Sequence, residues 1–424
     1  MPLPKKLRSL QYLILICSTA IVAATTLNSF KEDEVYKAAI DKGGQASDWF
    51  TKRSGKTTSS DYYADICAYY GSCIFGDATE NSEIYEYING RYTRTNAIIT
   101  TDIDKNSCGI LPLHLYLHNG KTRHLKLGTD AADANISKDG HFRGAIDDMY
   151  MTGSLHVQAY RATKDKKYLD FCANYIVRYI NALQQSNGLY QHGANRSKQY
   201  WGRGNGWAAA GTAELLQILP KEHVKYNEVV NGFKKHMKSL IDVQFDNGMW
   251  PQLLASTDSR NWEETSGTSM FIFALFTGIE LGILDKETYL EPARKGWMAV
   301  IKYLSSDGKL GNIANGFWPK TGTADEYLTA KKGGAGDSHG TAGFIWAATS
   351  IIRYYNSLQT GIPRFSASSS QWSVKAAGPV QNSFFDLRGR KIKTPVFNIN
   401  GINHHTGIVI HSTSSSKGKM LLMK

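Results

Sequence analysis

The stretch YWGRGNGWAAAGTAELLQILP, residues 200–220, passes from a glycine-rich aromatic segment into a helical pattern that ends at a proline. Its first part, Tyr200–Trp207, combines three aromatic side chains, three glycines, one arginine and one asparagine. Glycines fill little volume and lose much entropy when ordered, so we expect a loop that enters a helix at Ala208. Such a loop offers aromatic walls, a fixed cation and close backbone approach to a ligand. A glycine-rich turn with buried tryptophans is the alternative.

Helical periodicity dominates the chain around this stretch, from Glu34 to about Leu358. Apolar residues recur at i, i+3 and i+4 in eight segments, which indicates amphipathic helices. These segments are Leu111–Leu117, Met149–Ala162, Tyr168–Leu183, Ala208–Leu219, Val229–Val243, Thr268–Leu281, Glu291–Leu304 and Thr341–Tyr355. Strand-like alternation is scarce in this region, so we expect an all-α domain over residues 30–360.

Similar turns separate the helical segments. Asn187-Gly188, Asn247-Gly248 and Asp307-Gly308 each have an apolar residue two places after the glycine, and they recur about every 60 residues. A unit of about 50 to 60 residues, repeated over this length, gives about six helical hairpins, and each hairpin buries one face against its neighbours. Six hairpins can form an open solenoid or a closed (α/α)6 barrel. The Trp, Tyr, His and Asp residues in the joints favour closure around one cleft.

The two ends of the chain differ from this helical body. A basic start and an apolar run predict a secretory signal peptide over residues 1–24, and therefore a secreted protein that is periplasmic, at the cell surface or extracellular. The Ser-rich segment 361–371 predicts a linker, and short strand-like runs predict a small β-rich module over 372–424. No later apolar stretch is long enough to span a bilayer.

The positive charge is concentrated at the ends. The net charge is +12, and nine basic residues against one acidic residue follow Pro363. The body is therefore nearly neutral, which gives little reason to expect nucleic acid as a partner.

Four cysteines follow the predicted signal peptide: Cys67, Cys73, Cys108 and Cys172. An oxidising compartment permits disulfides, and Cys67 and Cys73 are the closest pair in sequence, although the pairing stays open. No Cys-x-x-Cys or Cys/His ligand spacing occurs, so we expect no metal site.

Acidic side chains stand at three joints where a loop is expected to become a helix. They are Asp104 in segment 101–109, Asp147 and Asp148 in segment 145–151, and Glu264 in segment 262–267. Each acid can simply stabilise a helix N-terminus, but acids at equivalent joints of a barrel would all face one end. The aromatic and polar residues of the joints are typical of a sugar-binding cleft, and glycoside hydrolysis in such a cleft needs an acid with a raised pKa. Because Asp147 precedes apolar residues and adjoins Asp148, we expect burial and like charge to raise the pKa of Asp147.

Two histidines lie in joints of the same kind. His192 belongs to GLYQHG (188–193), and His339 belongs to DSHGT (337–341). Either can be a hydrogen-bonded structural residue or a group that contacts a ligand. A Ser/His/Asp hydrolase is disfavoured, because no Gly-x-Ser-x-Gly elbow occurs and adjacent residues cannot form a triad.

Together these motifs resemble the unsaturated uronyl hydrolases of glycoside hydrolase family 105, with family 88 as a more distant relative, over roughly residues 35–358. WGRGNGW (201–207) is similar to the family's Trp-Ala-Arg-Gly-Asn-Gly-Trp block. IDDMYM (146–151) resembles the segment of the catalytic aspartate, and DIDKNSCG (102–109) resembles that of a second functional aspartate. EETSGTSMF (263–271) and HGTAGFIWAA (339–348) match later joints.

The resemblance implies a closed barrel that removes a 4,5-unsaturated uronic acid from the non-reducing end of oligosaccharides made by polysaccharide lyases. It implies that Asp147 is the general acid/base and that Asp104 orients sugar hydroxyls and holds Asp147. Substrate-binding roles would fall to His192, Arg203, Trp201, Trp207, Asp148, Glu264 and His339. Neither a metal nor an organic cofactor is implied.

The chain departs from the family pattern after His192-Gly193, where Ala194–Ser197 replaces a longer Trp-Asp-Glu-Ser stretch, and at Cys108. The aglycone sugar and the parent polysaccharide, pectin among them, therefore stay open. An inverting glycoside hydrolase of saturated glycans and a non-catalytic glycan-binding barrel are the alternatives. The tail, FFDLRGRKIKTP (384–395) with GIVI (407–410), resembles sorting modules of the type IX secretion system, which would make secretion machinery a partner.

Overall fold

A computed structural model describes residues 33–53, 57–195, 197–316 and 319–360, together with three short strands nearer the C-terminus. The chain divides into two compact units, Met1–Gln371 and Trp372–Lys424. The predicted signal peptide (1–24) and linker (361–371) lie outside the described residues and stay predictions.

The described part of the first unit contains fourteen α-helices. They are α1 (Glu34–Lys52), α2 (Tyr63–Thr79), α3 (Ser82–Arg91), α4 (Ile103–Asn106), α5 (Ile110–Asn119), α6 (Thr122–Ile136), α7 (Asp148–Thr163), α8 (Lys166–Leu183), α9 (Gly202–Leu216), α10 (Tyr226–Asp242), α11 (Thr265–Glu280), α12 (Lys286–Val300), α13 (Ala324–Leu328) and α14 (Ser338–Thr360). Short 3₁₀ turns span Ser107–Gly109, Asp139–His141 and Ile301–Tyr303.

The twelve long helices alternate between outer and inner positions. The outer helices α1, α3, α6, α8, α10 and α12 bury one face, whereas the inner helices α2, α5, α7, α9, α11 and α14 are buried on most sides. Helix α9, for example, buries all 15 of its residues, and α10 buries 6 of 17. The inner helices contact one another in this order, and α14 packs against α2 to close the ring. The prediction of a closed (α/α)6 barrel is therefore confirmed, and the open solenoid is excluded.

The three predicted Asn/Asp-Gly turns share one backbone geometry. Gly188, Gly248 and Gly308 have φ angles of 85°, 96° and 84°, in the left-handed region that glycine adopts without strain. In each turn, the glycine N–H donates to the carbonyl oxygen three residues earlier. Each turn follows an outer helix and precedes the segment that leads towards an inner helix. Because an outer helix returns the chain between successive inner helices, the inner helices all run in the same direction.

The prediction of a loop up to Ala208 was wrong, because α9 begins at Gly202. Its glycines permit close packing rather than a flexible conformation. A Cβ on Gly202 would lie 2.7 Å from the carbonyl oxygen of Pro251, and one on Gly206 would lie 2.8 Å from Sδ of Met270. The glycine-rich segment is thus the first part of a buried inner helix.

A buried polar network joins four inner helices near their C-terminal ends. Arg161 on α7 donates to Glu214 on α9 and to Gln217 directly after that helix, at 3.1 Å each. Arg353 on α14 donates to Gln217 at 3.1 Å and to Glu280 on α11 at 2.6 Å. Each buried charge is thereby paired, as the low dielectric of the interior requires.

Cys67, Cys73, Cys108 and Cys172 are buried free thiols, so the permitted disulfides are not formed in this structure. Within the described residues, every helix falls short of the length or hydropathy that a bilayer-spanning helix requires.

The second unit contains three described strands, β1 (Phe384–Phe385), β2 (Lys391–Ile392) and β3 (Ile410–His411). They form an antiparallel sheet in the order β2-β1-β3. The boundaries of the predicted β-rich module and its role as a sorting tail stay predictions.

The contact between α7 and α9 provides a matched test of this close packing. A Cβ on Gly211 would lie 2.7 Å from the carbonyl carbon of Met149 and 2.9 Å from Cα of Tyr150. On the other helix, a Cβ on Gly153 would have its nearest neighbour at 3.6 Å, an ordinary contact. We expect Gly211→Ala to lower the free energy of unfolding by about 1–3 kcal/mol through overpacking. Gly153→Ala should leave it unchanged or raise it by up to about 1 kcal/mol. Equal stabilities in chemical denaturation would contradict this account.

Candidate active site

The predicted site residues lie at the N-terminal ends of the inner helices, and because these helices are parallel the residues gather at one end of the barrel. Asp104 lies in α4, Asp147 and Asp148 begin α7, Trp201 and Arg203 begin α9, Glu264 precedes α11, and His339 is in the first turn of α14. His192 lies in the segment before α9. A cleft of about 600 Å³ opens here, and it is lined by Thr101, Asp102, Ile103, Asp104, His141, Phe142 and Arg143.

Arg143 connects two of the predicted acids. Its Nη2 and Nη1 atoms donate to the two carboxylate oxygens of Asp104, at 2.6 and 3.2 Å. Its Nε atom donates to Oδ1 of Asp148 at 2.5 Å. One guanidinium therefore fixes the segment before α5 to the start of α7, and a two-pronged contact of this kind defines orientation as well as distance. Arg143 was not predicted from the sequence, because nothing in its local sequence marks it as a bridge.

Asp148 is fully buried and cannot touch a substrate in this structure. It accepts hydrogen bonds from Arg143 and from the hydroxyl of Tyr179. Burial raises the pKa of Asp148 to about 7 with a contribution from the charge of Asp147, although Arg143 and Tyr179 oppose the shift. The environment that we expected around Asp147 is thus found around its neighbour, and Asp148 is a positioning residue rather than a binding residue.

Asp147 presents a carboxyl group at the mouth of the barrel. Its side chain is 17% exposed, and its Oδ2 atom is enclosed without a hydrogen bond to any described residue. Nε2 of His192 lies 3.8 Å from that oxygen, beyond hydrogen-bond reach. The backbone around it is fixed, since the Ile146 N–H donates to the carbonyl of His192 at 3.0 Å. A rigidly held carboxyl with one unengaged oxygen is well suited to proton transfer.

His192 is a buried imidazole that faces Asp147. Its Nδ1 atom lies 2.6 Å from the hydroxyl of Tyr327, and its ring lies 4.6 Å from that of Trp201. Burial lowers the pKa of His192 to about 4, and the positive charge of Arg203 acts in the same direction, although Asp147 opposes them. At neutral pH the imidazole is therefore uncharged and can hydrogen-bond to a sugar hydroxyl. Tyr327 on α13 was not identified from the sequence.

Arg203 is a buried cation bound by backbone carbonyls. It donates to the carbonyl oxygens of Ala314 and Asn315, the second at 3.1 Å, and it lies 4.5 Å from the ring centre of Trp201. Among the described residues, no carboxylate oxygen lies within 4.0 Å of its guanidinium. Its Nε atom is enclosed and makes no hydrogen bond to them. The carboxylate of Asp337 interacts electrostatically with Arg203 from beyond that distance. A buried guanidinium without a directly bound carboxylate would gain from an anionic ligand.

Glu264 and Trp207 have structural roles in place of the expected sugar contacts. The buried carboxylate of Glu264 caps α11 and accepts from the N–H groups of Ser266, Gly267 and Ala314, at 2.9, 2.6 and 3.0 Å. It thereby positions the carbonyl that binds Arg203. Trp207 is fully buried, so its ring has no free face on which a sugar could stack.

His339 belongs to a chain of polar groups on the other side of the site. Its Nδ1 atom lies 2.6 Å from Oδ1 of Asp337, and its Nε2 atom lies 2.7 Å from the hydroxyl of Tyr63. Burial lowers the pKa of His339, and Arg203 adds to the effect. Next to this chain, Tyr62 is 43% exposed and offers an accessible aromatic ring. Neither tyrosine was identified from the sequence, although an adjacent pair just before a helix was a usable signal.

The shifted pKa of Asp148 gives a pH-dependent test. Its folded-state pKa of about 7 lies above its ordinary value of 3.8, so between these values the folded chain binds more protons than the unfolded chain. The contribution of Asp148 to stability therefore falls as the pH rises from 4 to 7. Relative to Asp148→Asn, the wild type should lose up to about 4 kcal/mol of unfolding free energy over this range.

Denaturant unfolding at several pH values measures this difference. Asp242→Asn, at an exposed ion pair with Lys238 on α10, is the matched control and should give a curve parallel to the wild type. A parallel curve for Asp148→Asn would contradict the assignment.

Comparison with known proteins identifies relatives of this chain. An unsaturated 3S-rhamnoglycuronyl hydrolase of Alteromonas sp. (strain LOR) is 30% identical over 173 residues, which cover 39% of this chain and 42% of that protein. The chain thus aligns with about two fifths of this curated relative's length. An unsaturated rhamnogalacturonyl hydrolase of Bacillus subtilis (strain 168) is 23% identical over 279 residues, covering 59% of this chain and 78% of that protein.

A solved structure has a similar fold, and one family model matches most of the chain. A family 105 glycoside hydrolase of C. acetobutylicum ATCC 824 has a TM-score of 0.65 at 18% identity, over 73% of this chain and 98% of that chain. This similarity concerns the fold. The model of Glycosyl Hydrolase Family 88 matches residues 44–355, which include every residue of the site described above. On that match, the chain belongs to glycosyl hydrolase family 88.

Proposed function

We propose that this protein hydrolyses oligosaccharides that carry a 4,5-unsaturated uronic acid at their non-reducing end. The observation that carries the proposal is the buried guanidinium of Arg203, which makes hydrogen bonds to backbone carbonyls but no direct ion pair with a carboxylate among the described residues. An acidic sugar would supply a directly bound carboxylate through charge-assisted hydrogen bonds. The names of the two relatives above, both unsaturated uronyl hydrolases, support the same substrate class.

The chemistry follows from the double bond of such a sugar. Its C4=C5 bond is conjugated with the carboxylate and bonded to the ring oxygen, so an acid can protonate C4. Water then bonds to C5, and the proton that it loses returns to the carboxylate of the enzyme. The hemiketal at C5 opens as its bond to the ring oxygen breaks, which leaves a ketone at C5 and a hemiacetal at C1. The hemiacetal collapses to an aldehyde, and the second sugar leaves with its hydroxyl restored. One carboxyl group can perform both proton transfers, which is general acid/base catalysis.

Asp147 is the residue to which we assign these transfers. Its Oδ2 atom has no hydrogen-bond partner among the described residues, and its neighbours are fixed by the barrel. Asp104, held by Arg143 at the cleft, can bind sugar hydroxyls and define the position of the ring. His192 can hydrogen-bond to the sugar beside Asp147. Tyr62 offers the exposed ring for stacking that Trp207 does not.

Asp147→Asn tests the catalytic assignment. The amide has nearly the same shape but cannot donate and recover a proton, so turnover should fall by about 10²–10⁴-fold. The unsaturated uronic acid absorbs ultraviolet light, and the loss of that absorbance measures hydration directly. Lyase digests of pectin, ulvan and glycosaminoglycans provide the substrates and would identify the aglycone.

Asp130→Asn is the control for that experiment, because Asp130 pairs with Lys126 on the outer helix α6. It should retain the wild-type rate. A wild-type rate for Asp147→Asn would refute the assignment. Release of reducing ends from intact polysaccharide, without loss of absorbance in the digests, would instead indicate a hydrolase of saturated glycans.

A change in the substrate tests the role of Arg203 without disturbing the fold. Methyl esterification of the uronate removes its negative charge. Because a hydrogen bond to a charged group contributes about 1.5–3 kcal/mol, kcat/KM should fall by about 10–100-fold. The rate of acid-catalysed hydration without enzyme, measured for acid and ester, corrects for the altered double bond. Equal corrected values of kcat/KM would argue against recognition of the carboxylate.

A further inference from the structure

Three side chains converge at the end of the barrel opposite the cleft. Asp77 lies near the C-terminal end of α2, and His114 and His118 lie on α5. Residues at i and i+4 stand one above the other on the same face of a helix, so both imidazoles point to one side of α5. We propose that Asp77, His114 and His118 form a zinc-binding site.

The distances fit one tetrahedral ion. Nε2 of His118 lies 3.2 Å from Oδ1 of Asp77, and Nε2 of His114 lies 3.3 Å from Oδ2. One ligand atom from each of the three residues lies within 4.8 Å of the others. Zinc binds imidazole nitrogen and carboxylate oxygen at about 2.0–2.2 Å, which places neighbouring ligand atoms of a tetrahedron about 3.3–3.5 Å apart. The two short distances run to different oxygens of Asp77, so a small movement of these side chains would place one carboxylate oxygen and both imidazoles around a shared ion.

The polar contacts of His114 also favour a role as a metal ligand. His114 is 1% exposed, yet neither of its ring nitrogens makes a hydrogen bond to a described residue. Nε2 contacts Oδ2 of Asp77 at 3.3 Å, which is an ion pair only when the imidazole is protonated. A bound metal ion would give the neutral imidazole a partner at Nε2, where a buried group without one is unfavourable by about 1–3 kcal/mol.

Neighbouring aromatic rings hold both ligands in place. The ring of Tyr85 stacks on His118 at 4.3 Å and 24°, and the edge of Tyr70 meets His114 at 5.3 Å and 79°. Tyr70 is itself fixed, because its hydroxyl donates to Glu214 at 2.9 Å. Such outer contacts orient metal ligands before the ion arrives.

The donor set selects the class of ion, and the exposure of the site allows its entry. Two imidazole nitrogens with one carboxylate favour zinc and its transition-metal neighbours, whereas calcium and magnesium prefer oxygen ligands. The side chain of His118 is 26% exposed, so solvent can deliver the ion and supply a fourth ligand. A bound ion would join α2 to α5 at the end of the barrel away from Asp147.

Metal titration of the full-length protein after chelator treatment and dialysis tests the proposal. We expect one equivalent of Co²⁺ to bind with the intense visible absorption of a tetrahedral complex and to be displaced by Zn²⁺. Zinc should also raise the melting temperature, since it binds the folded state, whereas Ca²⁺ and Mg²⁺ should not.

Variants then locate the site. Loss of an outer partner alone weakens metal binding by about 10–100-fold, so loss of a ligand in His118→Gln or Asp77→Asn should weaken it by more than about 100-fold. The control is His223→Gln, because His223 pairs with Asp170 at 3.1 Å outside this cluster. It should bind as the wild type does. Comparing the melting temperature of each variant with and without zinc makes the result independent of its basal stability. Stoichiometric binding that survives both ligand variants, or none in the wild type, would overturn the proposal.

Discussion

Burial of the six inner helices on most of their surface is the constraint on which the structure depends. A helix that is apolar all round cannot face solvent, so it must be surrounded by other helices. The chain meets this requirement by placing an outer helix before each inner one and by closing the inner ring where α14 meets α2. Closure brings backbones very near, which explains why Gly206 and Gly211 stand where inner helices touch.

The same closure creates the site, because it aligns the starts of the inner helices. Residues that are far apart in sequence then share one mouth, and each is fixed by a contact from another hairpin. Arg143 links Asp104 to Asp148, and Glu264 positions the backbone that binds Arg203. Precise placement of this kind is what proton transfer to a sugar carbon requires. The barrel therefore contributes geometry, and a small number of side chains contribute the chemistry.

Much of the fold could be predicted from the sequence. The repeated Asn/Asp-Gly turns were recognisable because glycine is the residue that tolerates their left-handed φ. Helices with one buried face, such as α8 and α10, were recognisable from their periodicity. Helix α2 was not predicted, since a helix buried on most sides has no polar face to reveal its period. The start of α9 was missed for a related reason, because its glycines serve packing that only the folded chain displays.

The site was predictable in its position but less so in its roles. Acids at helix starts indicated Asp104 and Asp147, because that signal is local. The burial of Asp148 and Trp207 depends on neighbours from other hairpins, and no local pattern contains it. The bridge made by Arg143 is tertiary in the same sense. The expectation of no metal site rests on cysteine spacings, whereas the zinc site proposed above rests on the His-x₃-His pattern of α5.

The direction of the inner helices also gives the mouth of the barrel a local electrostatic character. Each helix carries a dipole equivalent to about half a positive charge at its N-terminus and half a negative charge at its C-terminus, and the effect is confined to the first and last turns. The outer helices return the chain in the opposite direction, so the dipoles of the barrel as a whole largely offset one another. Around the axis, however, the N-terminal turns of the inner helices are grouped at the mouth that contains Asp147 and Arg203. Their backbone N–H groups favour an anion at that mouth, independently of the side chains.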